Sequence, residues 1–126
     1  MVVLGHAARP TQAMTARNKL LLAPPYAVEQ ALARLGTNLR TARMRRDLTI
    51  ADLAEKIGTG KRAVADAEKG KPSTSIAVYY AILWALGLLD QSGDLAAPDA
   101  DAEGQTLALA RERVRVRPKA ALDNDF

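Results

Sequence analysis

The stretch that decides the fold is residues 48–71, LTIADLAEKIGTGKRAVADAEKGK. Two short segments of helical periodicity flank the sequence Gly-Thr-Gly at 58–60, and the second segment begins with Lys61 and Arg62. A glycine at this place can end the first helix and let the chain turn sharply into the second. The stretch therefore predicts two helices joined by a tight turn, the second of which starts on two basic residues.

Start and stop signals agree with this interpretation. Thr49 is a favourable N-cap, and Asp52 three residues later forms a variant of the capping box. Gly58 supplies the stop, and Gly70 ends the second helix near Lys69. Apolar residues fall on one side of each helix, so the following are expected to face inward: Leu53, Ala54, Ile57, Val64 and Ala67.

Three further helical elements flank this pair. A first helix is predicted from Tyr26 to about Arg46, in which Gly36 costs on the order of 1 kcal/mol relative to Ala. Another is predicted from a Ser75 cap to Leu86, and a short one begins at Leu88 and ends near Pro98. The helix after Ser75 is apolar nearly all round, which predicts burial on two sides. One face would hold Ile76, Tyr79, Ile82, Leu83 and Leu86, and the other Ala77, Ala81, Trp84 and Leu88.

Composition and charge limit the function classes. The formal net charge is +4 and is unevenly placed, with +3 in residues 1–25, +4 in 26–71, −5 in 72–110 and +2 in 111–126. Basic regions of this kind suit phosphate backbones. The chain has no cysteine, which excludes disulfides and thiolate metal sites. It also has no apolar run of about 18 residues, so a soluble, cytoplasmic protein without a membrane span is expected.

The pattern divides the chain into three regions. Residues 1–25 are expected to form a flexible arm, whose single His6 lacks the companions of a metal ligand. Residues 26–97 form the helical domain. Residues 98–126 are expected to be an acidic linker, a helix near 106–113 and a basic tail. In that tail RVRVR at 113–117 alternates like a strand, with an unstructured tail as the favoured alternative.

The frame of the domain resembles the Cro/C1-type (XRE) helix-turn-helix family over about residues 35–90. The matching positions are Arg43, Leu48-Thr49, Leu53-Ala54, Ile57-Gly58, Val64, the run 68–71 and Ala85-Leu86-Gly87. The resemblance implies an all-α, lambda-repressor-like bundle of four to five helices with flexible terminal tails. It also implies a homodimer that binds double-stranded operator DNA, with no cofactor. Segments 20–36 and 57–91, with the acidic linker and Arg-rich tail, are similar to HipB-like antitoxins, which pair with HipA-like kinase toxins and repress their own operon.

Roles for individual residues follow from the resemblance. Base edges would be read by Lys61, Arg62, Ala63, Ala65 and Asp66, since lysine and arginine donate to guanine, a carboxylate accepts from cytosine and small side chains approach a thymine methyl. An alternative is that Asp66 only pairs with Arg62. Phosphates would be held by Thr49, Lys69, Lys71, Ser73 and Thr74. Arg43 and Glu68 match a structural pair of the family.

Three positions depart from the family pattern. Ile50 stands where a glutamine is usual and Gly60 where a serine cap is usual, and both changes lower the affinity for DNA that is expected. Trp84 stands where a polar residue is common. With Ala77, Ala81 and Leu88 it would form a dimer or partner surface, unless the fifth helix or the tail covers it.

Three functions remain open at this point. The first is a repressor that is also an antitoxin, the second a stand-alone, phage-type regulator, and the third a protein-interaction module that has lost DNA binding. An enzyme is the poorest interpretation, because the sequence offers no paired carboxylates in a cleft, no phosphate-binding glycine motif and no histidine beyond His6.

Overall fold

A computed structural model of the protein describes residues 18–124, with side chains described as far as residue 116. The helices are α1 (Lys19–Leu22), α2 (Tyr26–Arg45), α3 (Ile50–Ile57), α4 (Lys61–Glu68), α5 (Ile76–Ala85) and α6 (Ala102–Asn124). Two 3-10 helices, Leu89–Asp94 and Pro98–Ala100, lie between α5 and α6. Within this range there is no strand, and the all-α prediction is confirmed.

The chain divides into two compact units, Met1–Leu89 and Asp90–Phe126. The first contains α1 to α5, and the second contains the 3-10 turn at Pro98–Ala100 and α6. The sequence places the domain boundary after residue 97, and that boundary stays a prediction.

The core of the first unit is built by α2, α3, α4 and α5. Leu39, Leu53, Val64 and Ile82 are its largest fully buried side chains, one from each helix. The remaining buried apolar residues are Ala54, Ala67, Tyr79, Ala85 and Leu86. The inward faces predicted for α3 and α4 are therefore confirmed, with Ile57 only partly buried against the cluster.

The turn between α3 and α4 is formed by the residues that the sequence singled out. The Thr49 hydroxyl accepts a hydrogen bond from the Asp52 amide at 3.0 Å, and the Thr49 amide donates to the Asp52 carboxylate at 3.0 Å. The bond that the Asp52 carboxylate accepts from the Thr49 amide, followed by one from the Thr49 side chain, lowers the pKa of Asp52, because hydrogen bonds to the carboxylate favour its charged form. Gly58 follows α3 with φ 78°, the left-handed conformation that glycine adopts at least cost. The capping signals therefore set both ends of α3.

Several predictions for α5, α6 and the segment between them are wrong. Ile76 was assigned to the buried face of α5, yet it is 70% exposed and lies on the outer face. Residues 113–116 belong to α6, so they form neither a strand nor an irregular tail. Alternating arginine and valine are also compatible with a helix, because valine lowers the stability of a helix only slightly. The predicted acidic linker is also wrong, because a single residue separates the 3-10 helix Pro98–Ala100 from α6.

The N-terminal arm falls mostly outside the described residues, which exclude 1–17 and therefore His6. Within the part that is described, Lys19–Leu22 forms the short helix α1 instead of irregular arm.

Candidate nucleic-acid interface

The outer face of α4 carries the predicted base-reading residues. Val64 and Ala67 are fully buried, and this fixes which side of the helix faces the core. Lys61 and Arg62, in the first turn of α4, are exposed. The remaining three predicted readers, Ala63, Ala65 and Asp66, are partly covered, so the two cations are the most accessible members of the set.

The start of α4 is electrostatically suited to an anion. Gly60 is its N-cap and supplies no side-chain hydrogen bond, and the first turn contains no acidic residue. The amide groups of this turn therefore have no side-chain acceptor, and they add their positive partial charge to Lys61 and Arg62. The glycine that weakens the cap leaves this end of the helix open.

A buried ion pair fixes α4 against α2. The Arg43 guanidinium donates to the Glu68 carboxylate through Nε at 2.6 Å and Nη2 at 3.0 Å, while Nη1 donates to the Leu48 carbonyl oxygen at 2.8 Å. The side chains are only 11% and 5% exposed. The hydrogen bond with Glu68 raises the pKa of Arg43. Arg43 thus joins α2, α4 and the loop before α3, and its charge is used inside the domain.

Asp66 is paired with a residue that the sequence did not suggest. Its carboxylate lies 3.2 Å from the Lys71 ammonium group. The Lys71 amide also donates to the Asp66 carbonyl oxygen at 3.1 Å. No ion pair between Asp66 and Arg62 occurs in the described part of the chain. Arg62 is therefore left available, while the charge of Lys71 is partly neutralised.

The loop after α4 is held in place by contacts with α5 and α2. Buried Tyr79 donates its hydroxyl hydrogen to the Lys71 carbonyl oxygen at 3.0 Å, and burial raises the pKa of that hydroxyl. Gly70, with φ 70°, packs directly on the backbone of Leu32 in α2. Held in this way, the loop exposes Lys69 and Ser73, whereas Thr74 is partly buried. The sequence identified Tyr79 as a core residue but not its role in positioning this loop, although a buried tyrosine needs a partner for its hydroxyl.

The start of α3 is less open to a phosphate than expected. The Asp52 carboxylate already accepts from the Thr49 amide, which places a negative charge at this helix end. The Thr49 hydroxyl accepts from the Asp52 amide, and toward a phosphate oxygen, which is an acceptor, it acts only as a donor through its hydrogen. Ile50 is partly buried and packs against the core. Any phosphate contact here falls to the Thr49 hydroxyl and the next amides.

An open groove connects α2, α3 and α4 on this side of the domain. Ile50 and Ala65 line it together with Arg40 and Lys69, and the Arg43–Glu68 pair lies in its wall. Arg40 is exposed and was not assigned to the site from the sequence. Its position in the last turns of a helix gave no sign that it shares a groove with Lys69.

A second, uncharged surface lies on α5. Trp84 is 56% exposed and Ala77 is also exposed, so the second side of α5 is not buried within the described residues as its composition predicts, while Ala81 is partly buried. Ile76 joins them, since it precedes Trp84 by two turns and is 70% exposed. Leu88, by contrast, packs against the core. The outer face of α5, defined here as Ile76, Ala77, Ala81 and Trp84, is therefore mainly apolar and free of charge, with partly buried Tyr80 between Ile76 and Trp84.

Comparison with known proteins supports the geometry. Residues 39–89 match the family described as Helix-turn-helix. Over this segment the chain is similar to that family. The match covers α3 to α5 and the end of α2, about two fifths of the chain. No curated protein matches the chain.

The residues that the structure describes contain no group of three or more histidine, cysteine, aspartate or glutamate side chains that could hold a metal ion. None of the helices they form is long and apolar enough to cross a membrane.

Proposed function

We propose that this protein is a sequence-specific transcriptional repressor that binds double-stranded operator DNA as a homodimer through its helix-turn-helix domain. The observation that carries the proposal is the outer face of α4, where exposed Lys61 and Arg62 lie at a helix start without a capping side chain. The opposite side of α4 is buried, and the Arg43–Glu68 pair braces the helix. A braced helix with a basic, accessible start is what docking into a major groove requires.

The residues divide into two kinds of contact. Lys61 and Arg62 read bases, because their donors suit the O6 and N7 acceptors of guanine. Lys69, Ser73 and the Thr49 hydroxyl hold phosphates on either side, with Arg40 as an additional phosphate contact across the groove. Lys71 contributes less, since Asp66 partly neutralises it, and Asp66 in turn is less available to cytosine.

Removing both base-reading cations tests this proposal. A duplex selected by the wild-type protein from a randomised pool serves as probe, together with a scrambled duplex of equal length, in fluorescence anisotropy at several salt concentrations. Lys61→Ala/Arg62→Ala is expected to weaken binding to the selected duplex by about a hundredfold or more, because each lost base contact costs about 1–3 kcal/mol. Binding to the scrambled duplex should fall much less, since phosphate contacts remain.

The matched control removes one lysine and one arginine elsewhere. Lys19 and Arg34 are exposed and precede the matched segment, so Lys19→Ala/Arg34→Ala has the same net charge as the test variant. The control should keep the preference for the selected duplex. Equal loss on both duplexes in the test variant would make the two cations phosphate contacts. Failure of the wild type to shift any duplex even at low salt contradicts DNA binding altogether.

A second candidate function, an antitoxin that binds a HipA-like kinase toxin, is favoured by the outer face of α5. Partly exposed Trp84 with Ile76 offers an uncharged, apolar surface, and tryptophan is a frequent anchor of protein interfaces. The other way to use the helix-turn-helix domain is a stand-alone regulator without such a partner. A kinase-like product of a neighbouring gene would be the protein to test.

Replacing the tryptophan separates partner binding from DNA binding. Trp84→Ala is expected to weaken the complex with that kinase-like protein about thirtyfold, the usual effect of losing an interface hot spot, and to leave DNA affinity unchanged. Tyr26→Ala is the control, since Tyr26 is another exposed aromatic residue, on a different helix. Isothermal titration measures both. Equal effects of the two substitutions, or none, would argue against a partner on α5.

A further inference from the structure

Helix α6 exposes several large apolar side chains to solvent. From Ala102 to Val116 every residue except Gly104 is exposed. Four large apolar side chains are among them: Leu107 (58%), Leu109 (55%), Val114 (69%) and Val116 (57%). A helix that keeps its side chains in water is only marginally stable, because helices in proteins gain most of their stability from packing of an apolar face.

Two apolar pairs lie on different sides of α6. Leu107, Ala110 and Val114 follow one another at spacings of three and four residues, which places them in one stripe along the helix, here called the 107–114 stripe. Leu109 and Val116 are also seven residues apart, but the positions between them on that side are the charged residues Glu112 and Arg113. The 107–114 stripe differs in that one of the two positions between its ends, Ala110, is apolar, while the other is Arg111.

The charges around α6 are unevenly distributed along its length. Asp94, Asp99, Asp101 and Glu103 lie before or in its first turn, whereas its middle carries Arg111, Arg113 and Arg115, with Glu112 as the one acidic residue among them. The helix dipole favours acidic residues at the start but acts only within the terminal turns. It therefore does not account for arginines more than two turns before Asn124, in a helix whose last turn has no basic residue.

We infer that the 107–114 stripe is a self-association surface, on which α6 of a second copy of this chain packs antiparallel. In this arrangement the acidic start of each helix lies beside the arginines of the other, and Ala110 lies near the two-fold axis with room for close approach. A parallel pair would place the arginines of the two copies side by side, which is repulsive. The inference rests on the proposed homodimer and assigns it a location, leaving the outer face of α5 free for another partner.

Two matched double substitutions test the location in the full-length protein. Leu107→Ala/Val114→Ala and Leu109→Ala/Val116→Ala remove the same atoms from the same helix, and alanine is at least as good a helix former. Sedimentation equilibrium over a concentration series measures dimerisation. The first variant is expected to dimerise about a hundredfold more weakly, since each dimer loses four buried side chains, and the second is expected to match the wild type. Equal effects of the two, or a dimer unaffected by the first, overturn the inference.

Orientation is tested by disulfide cross-linking, for which the chain is convenient because it has no cysteine of its own. In an antiparallel pair, Ala110→Cys lies near its counterpart and should form a covalent dimer under mild oxidation, whereas Glu103→Cys should not. Cross-linking of both variants would indicate a parallel pair and overturn the proposal.

DNA binding is measured in parallel to separate the two proposals. A wild type that binds its selected duplex but stays dimeric after Leu107→Ala/Val114→Ala refutes the α6 interface and leaves the repressor intact. A wild type that is monomeric and still binds its selected duplex refutes the interface together with the homodimer. If α6 associates with DNA instead, Arg111→Ala/Arg115→Ala should weaken the salt-dependent binding of the scrambled duplex and leave the dimer intact. That result would also contradict the inference.

Discussion

Glu68→Ala is expected to lower the free energy of unfolding by about 3–5 kcal/mol, because it leaves the Arg43 guanidinium buried without its counter-ion. The two side chains are 11% and 5% exposed and share two hydrogen bonds, so little solvent is available to replace the carboxylate. A domain of this size has about 5–15 kcal/mol of stability in total. Urea denaturation followed by circular dichroism measures the change.

Glu55→Ala is the matched control, since Glu55 is exposed on α3 and its loss should cost less than about 0.5 kcal/mol. Replacing both partners, as Arg43→Met/Glu68→Leu, should recover part of the lost stability, because no unpaired charge then remains buried. Equal destabilisation by Glu68→Ala and Glu55→Ala would show that the ion pair contributes nothing beyond an ordinary surface contact.

Much of the region from α2 to α5 could be predicted because its signals are local. The cap at Thr49, the stop at Gly58 and the inward positions Leu53 and Val64 depend on neighbours within about four residues, which is the range over which sequence patterns carry information. The structure agrees with these positions within one residue at the helix ends.

The features that the sequence did not predict depend on tertiary geometry or on ambiguous patterns. Asp66 pairs with Lys71 because the loop after α4 turns back, and no helical spacing rule includes that distance. Helix α5 is apolar on every side, so the hydrophobic periodicity could not identify which face of the helix is buried. Ile76 lies on the outer face. The alternation in 113–117 predicts a strand or, as the favoured alternative, an unstructured tail, and neither is correct, since five residues are too few for their periodicity to exclude a helix.

Gly36→Ala is the second substitution with a large expected effect. The sign of its effect on stability shows whether helix propensity or tertiary packing dominates at this position. Considered by itself, an alanine inside α2 would stabilise the helix by about 1 kcal/mol. In the folded protein, however, a Cβ atom at residue 36 would lie 2.5 Å from the Glu68 carbonyl oxygen and 2.7 Å from the Gly70 nitrogen. Both are backbone atoms, so α2 and the end of α4 would have to separate.

We expect Gly36→Ala to destabilise the domain by about 2 kcal/mol, because overpacking costs up to about 3 kcal/mol and the helix gain of about 1 kcal/mol is subtracted from it. Gly93→Ala is the control, because nothing lies within 4 Å of a Cβ atom there. DNA affinity should also fall in the fraction that stays folded, since the strained contact lies beside the loop that carries Lys69 and Ser73. Urea denaturation and anisotropy with the selected duplex measure the two effects. An increase in stability on Gly36→Ala would mean that α2 and α4 are not in backbone contact, and the brace proposed for the recognition helix would then have to be abandoned.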